Sequence, residues 1–149
     1  MALQSQVYTE KAVAVAGDLA VPENAQYYPV NLLAGSAGVE VGKFVQISSG
    51  GVAVNATTTP IGIAQRNLSY PDYQVTGSGS LVVPEGGAIQ TVANGDVYVT
   101  ATDSATVGAK VYLGASGAIV TTSGSGTVDT GWTVATPATS GGIMLICKH

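Results

Sequence analysis

Charge is what this chain has least of. Asp, Glu, Lys and Arg together make up 9% of its 149 residues, against about 25% in an ordinary soluble domain. Ser, Thr, Gly, Asn and Gln must supply the surface polarity instead, and a surface with few like charges to repel neighbours is suited to packing against other chains. The five basic residues, Lys11, Lys43, Arg66, Lys110 and Lys148, are scattered and the net charge is −4. Phosphate recognition needs clustered Lys and Arg, so nucleic acid is not an expected partner. Histidine is equally scarce: the single one, His149, comes last, where the sequence offers nothing to orient it as the base of a nucleophilic hydrolase. The lone Cys147 excludes an intrachain disulfide and reads as a small apolar core residue in Ile143-Met144-Leu145-Ile146-Cys147. One Cys and one His are too few for a closed structural zinc site, and no Gly-rich segment carries the P-loop pattern with its Lys. Glu23, Glu40 and Glu85 flank turns and loops and read as solvated carboxylates rather than a glycosidase pair. No catalytic residue, metal or cofactor is therefore expected. No apolar run approaches the roughly 18 residues of a membrane span, and Met1-Ala2-Leu3-Gln4-Ser5-Gln6 lacks the basic start and apolar stretch of a signal peptide. The expectation is no membrane partner and synthesis in the cytoplasm.

What the chain does have is a repeat. Val41-Gly42-Lys43-Phe44-Val45-Gln46-Ile47-Ser48-Ser49-Gly50-Gly51-Val52-Ala53-Val54 returns as Val107-Gly108-Ala109-Lys110-Val111-Tyr112-Leu113-Gly114-Ala115-Ser116-Gly117-Ala118-Ile119-Val120, with five of fourteen positions identical. The match keeps the apolar alternation and a Gly-centred turn, which predicts one β unit used twice. A Gly-Asp precedes each copy, at Gly17-Asp18 and Gly95-Asp96. Neither has the clustered spacing of a calcium loop, so both read as turn chemistry at the start of a strand. The expected organisation is a single domain, residues 1–149, with a pseudo-repeat of about 12–66 and 81–148 and a connector at 65–80.

Twenty glycines, abundant Val and Thr, and turn clusters about every ten residues predict an all-β chain. We expect a compact small barrel or sandwich built from two similar β units, with an N-terminal arm and long loops. The predicted strands cover 7–14, 19–21, 43–47, 52–55, 60–64, 81–83, 95–100, 110–113, 119–121, 130–135 and 142–148, with hairpins closing at Ser49-Gly50-Gly51, Ala93-Asn94-Gly95 and Ser116-Gly117. Residues 22–38 read as a long insert in the first unit, and Trp132 as a core or interface plug rather than a ligand platform. Tyr70 and Tyr73 flank Pro71-Asp72 beside Arg66, and Tyr27-Tyr28-Pro29 makes a similar group. Each group suits either a binding hot spot, since Tyr and Arg combine large contact area with polar handles, or a connector folded over the barrel. Gln4, Gln6 and Tyr8 lie in an uncharged, alternating terminal segment of the kind that adds a strand to a neighbour.

The order of segments carries a resemblance. Ala14-Val15-Ala16-Gly17-Asp18, Val41-Gly42-Lys43-Phe44-Val45, Ile61-Gly62-Ile63-Ala64-Gln65-Arg66, Leu81-Val82-Val83-Pro84-Glu85-Gly86, Asn94-Gly95-Asp96-Val97-Tyr98-Val99 and Thr106-Val107-Gly108-Ala109-Lys110-Val111 together resemble the structural cement, or capsid decoration, proteins of tailed bacteriophages. The resemblance covers nearly the whole chain; the sequence departs from the pattern after Arg66 and in the Ser/Thr/Gly tract before Trp132. It implies a small, non-enzymatic β protein of the virion, on the outer capsid surface, binding the major capsid protein and itself as a dimer or trimer. Contact residues expected on that reading are Gln4, Gln6, Tyr8, Tyr27, Tyr28, Arg66, Tyr70 and Tyr73. The rival reading is a receptor- or carbohydrate-binding β domain of a phage tail appendage.

Overall fold

A computed structural model describes residues 14–67, 73–75 and 80–149, and these are all-β, with two short 3₁₀ turns at Pro22–Asn24 and Ala115–Gly117 and no α-helix among them. The strands are β1 (Gln26–Tyr27), β2 (Leu32–Leu33), β3 (Val39–Glu40), β4 (Phe44–Ile47), β5 (Ala53–Asn55), β6 (Gly62–Ala64) and β7 (Gln74–Val75). They continue as β8 (Leu81–Val83), β9 (Ala88–Ile89), β10 (Thr91–Thr100), β11 (Lys110–Leu113), β12 (Ile119–Val120), β13 (Val128–Val134) and β14 (Ile143–Lys148). One curled sheet runs in the order β12-β11-β13-β14-β10-β6-β4-β5, with β1 also on β10; β2-β9 and β3-β8-β7 form two small sheets. All these strand pairs are antiparallel. Residues 22–38, expected as an insert, contribute β1 and β2.

The long β10 joins the two parts of the sheet by changing partners. Thr91 and Val92 pair with Ala64 and Ile63 of β6, whereas Gly95–Thr100 pairs with β14. The hairpin expected at Ala93-Asn94-Gly95 is therefore not formed: the chain runs through Gly95 (φ +135°) as strand. Asn-Gly tolerates unusual φ within a strand as readily as in a turn. Burial decides between them, because Val92, Val97 and Val99, on either side of Gly95, are all fully buried. Each such side chain stabilises by about 1.5–3 kcal/mol relative to exposure, more than a two-residue turn can offer. Gly95 also lets a neighbouring segment approach, since a Cβ there would lie 3.1 Å from Ala25 Cα.

Two apolar clusters form the core. Phe44, Ile63, Val97, Val99, Trp132, Met144 and Ile146 belong to one, and Leu32, Val39, Val45, Ala64, Val83 and Ile89 to the other. Successive strand residues point to opposite faces, so Phe44 and Val45, and likewise Ile63 and Ala64, feed different clusters. That is why β4 and β6 carry adjacent apolar residues instead of alternating with polar ones. Trp132 is 2% exposed and acts as core.

The repeated segment of the sequence becomes a repeated hydrogen-bond pattern. Ile47 pairs with Ala53 as Leu113 pairs with Ile119, and Ser48 N–H donates to Val52 O as Gly114 N–H does to Ala118 O, both at 2.9 Å. Gly51 (φ +76°) and Gly117 (φ +80°) take the left-handed turn position in their hairpins. The correspondence extends further: Gly42 N–H donates to Ala64 O and Gly108 N–H to Val134 O, both at 2.8 Å. Gly86 N–H donates to Ala34 O at 2.9 Å and Gly141 N–H to Ala101 O at 2.8 Å. These matching bonds relate two sets of strands, a first of β4, β5, β6 and the start of β10 and a second of β11, β12, β13 and β14; residues 65–80 fall between β6 and β8. The two Gly-Asp segments lie side by side, with Gly17 N–H donating to Tyr98 O (2.8 Å) and Leu19 bridging Val97.

Candidate functional site

Several of the few surface charges are paired. Lys43 meets Glu40 at 2.6 Å, Arg66 meets Asp18 at 2.6 Å, and Lys110 meets Asp129 at 3.1 Å. What remains outward-facing includes large apolar side chains, among them Val75, Val107, Val30 and Leu33, each more than half exposed. Such a surface favours close packing with another protein over electrostatic steering.

Two of the expected contact residues, Tyr27 and Arg66, come together. Tyr27 on β1 and Arg66 just beyond β6 line a shallow depression of about 400 Å³ with Ala14, Asp18, Pro22 and Tyr98. β6 and β10 make this possible: β10 pairs with β1 on one side and carries Ile63 of β6 opposite Val92 on the other. Tyr27 is 44% exposed, whereas its neighbour Tyr28, just beyond β1, packs against the core cluster of Leu32 and Val39. Tyr73 also packs on that cluster, and its hydroxyl accepts a 2.6 Å hydrogen bond from Asn67 N–H. Gln4, Gln6, Tyr8 and Tyr70 lie outside the described residues, as does nearly all of the strand expected at 7–14.

Arg66 and Asp18 form a fork: Nε donates to Oδ1 at 2.6 Å and Nη2 to Oδ2 at 3.1 Å. Val15 N–H donates to the same carboxylate at 3.0 Å, and Arg66 N–H donates to Gly17 O at 2.9 Å. Burial raises the Asp18 pKa, but the Arg66 hydrogen bonds, the Val15 N–H and the Arg66 charge together outweigh it and hold the carboxyl below its usual range. The Arg66 pKa is raised, first of all by the hydrogen bond to Asp18. The pair ties segment 14–18 to the end of β6. Asp18 reads in the sequence as turn chemistry, and a turn it is: Asp18 N–H donates to Val15 O at 3.1 Å.

Two features escaped the sequence. A cleft of about 650 Å³ is lined by Val15, Val41, Leu81, Ala101, Ile119 and Ile143. Its walls come from segments far apart in the chain, so no local motif announces it. The second is a correction: His149 is not unoriented, because its Nε2 lies 3.3 Å from Asp96 Oδ1. Cys147 is half-buried beside them rather than in the core, with its Sγ 3.4 Å from Thr133 Oγ1. Strand pairing causes this, since Asp96 stands directly opposite Cys147.

Comparison with known proteins places this architecture. No curated protein matches the sequence. A solved chain described as "The capsid of Myoviridae Phage XM1" has a similar fold, with a TM-score of 0.68 and 21% identity over 99% of this chain and 97% of that one. The family model "Structural cement protein (E217 gp24/Pam3 gp6)" matches residues 3–147. With that match spanning nearly every strand of the sheet, the chain belongs to the structural cement protein family of tailed bacteriophages, a class of capsid-associated structural proteins.

Proposed function

We propose that this protein binds the outer surface of the shell formed by a phage major capsid protein and stabilises it without catalysing a reaction. The observation that carries this reading is the cement-family match over residues 3–147. Its physical support is a surface whose described Lys43, Arg66 and Lys110 are each paired with a carboxylate while several large apolar side chains face outward. A contact that exists only in the assembled particle stabilises that particle by linkage. A standard interface buries about 1,600 Å², and many copies on one shell add through multivalency. The chain acts as one domain and as a dimer or trimer, with residues 1–11 as an arm that adds a strand to a neighbour. Tyr27, Tyr28, Arg66, Tyr70 and Tyr73 extend that contact, with the depression shared by Tyr27 and Arg66 at its centre.

The test is rebinding. Particles lacking this protein are mixed with the purified full-length chain or with a variant deleted for residues 2–9, then sedimented and imaged. The full-length chain is expected to decorate the outer shell and to raise the temperature at which particles rupture; the deletion variant should bind weakly or not at all. Failure of the full-length chain to bind overturns the function. Equal occupancy by the deletion variant overturns the arm.

A further inference from the structure

The two sets of strands match in backbone hydrogen bonding but not in side chains, and at one place the difference is chemical. Val92 and Asn94 stand in the first set where Cys147 and His149 stand in the second, by the same step that relates Gly87 to Gly142. Asn94 is engaged with Gln26, donating to Oε1 at 3.0 Å. Cys147 and His149 instead face a carboxylate.

We propose that Asp96, Cys147 and His149 form a site for one zinc-class divalent cation, with a fourth coordination position open to water or to a donor from a neighbouring molecule. β10 and β14 build it. Asp96 is the direct cross-strand partner of Cys147, and His149 lies two residues beyond Cys147, hence on the same face. The carboxylate oxygen, the thiol sulfur and an imidazole nitrogen all lie within 4.8 Å of one another, with His149 Nε2 at 3.3 Å from Asp96 Oδ1. Bond lengths of about 2.0–2.3 Å put neighbouring donors around tetrahedral zinc roughly 3.5 Å apart, so small side-chain rotations close the set. The donors are one soft, one borderline and one hard, a mixture that favours zinc and its neighbours over magnesium or calcium.

Asp96 supplies a second, independent observation. Its side chain is 13% exposed, yet its hydrogen-bonding contacts are both long: 3.4 Å from Asn24 Nδ2 and 3.3 Å from His149 Nε2. Compare the satisfied carboxylates of this protein: Asp18 has partners at 2.6, 3.0 and 3.1 Å, and Asp103 is held by Thr121 and Thr122 at 2.9–3.0 Å. A carboxylate offers about four acceptor directions, and a cation at this point would use those that Asp96 leaves free. Thr133 Oγ1, 3.4 Å from Cys147 Sγ, is placed to orient the sulfur from outside the ligand set. A Cys–His–carboxylate catalytic relay is the wrong description, because that requires the imidazole between the other two groups. Here Asp96 and Cys147 face each other directly. A bound ion would instead staple β10 to β14, the pair through which the two sets of strands join.

The experiment uses the untagged full-length protein, with zinc alone as the probe and cobalt as its spectroscopic stand-in. We expect one equivalent to bind, a thiolate-to-cobalt charge-transfer band that zinc abolishes, and a rise in Tm on adding zinc. Cys147→Ser should remove the band and the rise in Tm, while a metal-free Tm close to that of the parent shows that it folds. Asp96→Asn and His149→Ala should each weaken binding by at least about tenfold. No binding at millimolar zinc, or binding unchanged in Cys147→Ser, overturns the site. Full affinity in both Asp96→Asn and His149→Ala places the ion on the thiol alone and also overturns it.

Discussion

Breaking the Asp18–Arg66 fork tests how firmly the base of the N-terminal segment is held. Arg66→Met keeps most of the aliphatic stem and removes the charge; Asp18→Asn keeps the shape and removes the charge on the other side. Both side chains are about three-quarters buried, with exposures of 24% and 25%. The pair is bidentate, at 2.6 and 3.1 Å. Exposed ion pairs contribute about 0.2–1 kcal/mol, while hydrogen bonds to charged groups in less wet surroundings contribute about 1.5–3 kcal/mol. Allowing for residual solvent screening, we expect a coupling energy of about 1–2 kcal/mol from a double-mutant cycle in urea at neutral pH. In a chain of this size that corresponds to roughly 2–8 °C in Tm. The pH dependence has a definite sign. The folded Asp18 carboxyl has a pKa below its ordinary 3.8, so the unfolded chain binds more protons there and stability rises with pH through that window. The contribution is fully present above about pH 4, near the unfolded value, and is lost as pH falls through the lower folded value. The parent protein should therefore lose stability on acidification more steeply than Asp18→Asn. A coupling energy below about 0.3 kcal/mol, within the usual error of additivity, or parallel acid limbs for the two proteins, would mean that the fork does not hold Asp18 in this way.

Two further predictions concern one spot where β6 meets β10, and they have opposite signs. Gly62→Ala drives its new Cβ into the Val92 carbonyl oxygen and to 2.7 Å from Thr91 Cγ2; backbone cannot step aside as a side chain can, so the cost should reach about 3 kcal/mol, the upper end for overpacking. An urea midpoint within error of the parent would disprove that. Thr91→Val replaces a 2%-exposed hydroxyl that has no hydrogen-bond partner among the described residues with a methyl of the same shape; it should be neutral or raise stability by about 1 kcal/mol, and a loss of more than that in the same titration would show that the hydroxyl is satisfied.

The regular hairpins were legible in the sequence because their information is local. Strands at 81–83 and 110–113 fall where alternation put them, and the repeat announced two turns that share a glycine position. The two-residue strands β1, β2, β3 and β9 were not legible, because a pair of residues has no period to detect. They exist through their partners: Leu32 and Leu33 are strand because Ile89 and Ala88 lie opposite them. The hairpin expected at Ala93-Asn94-Gly95 failed for a related reason, since Asn-Gly looks the same in a hairpin and in a strand that changes partners. Only the burial of valines on both sides distinguishes the two, and that burial depends on β6 and β14.

The candidate surfaces divide along the same line. Arg66 and Tyr27 were singled out by residue type, and the fold adds what type alone cannot give, a shared depression and an acidic partner for the arginine. Asp96 was visible as half of a Gly-Asp pair and Cys147 as part of an apolar run, while His149 stood alone, each with a plain local explanation. Their convergence requires β10 and β14 to pair in one register. A slip of one residue would turn Cys147 and His149 to the opposite face from Asp96. That register is fixed by Val97 against Ile146 and Val99 against Met144, four fully buried side chains in the core. The apolar packing that closes the fold thus also sets the distance between the three donor groups, so a metal site there would need no support of its own beyond the core.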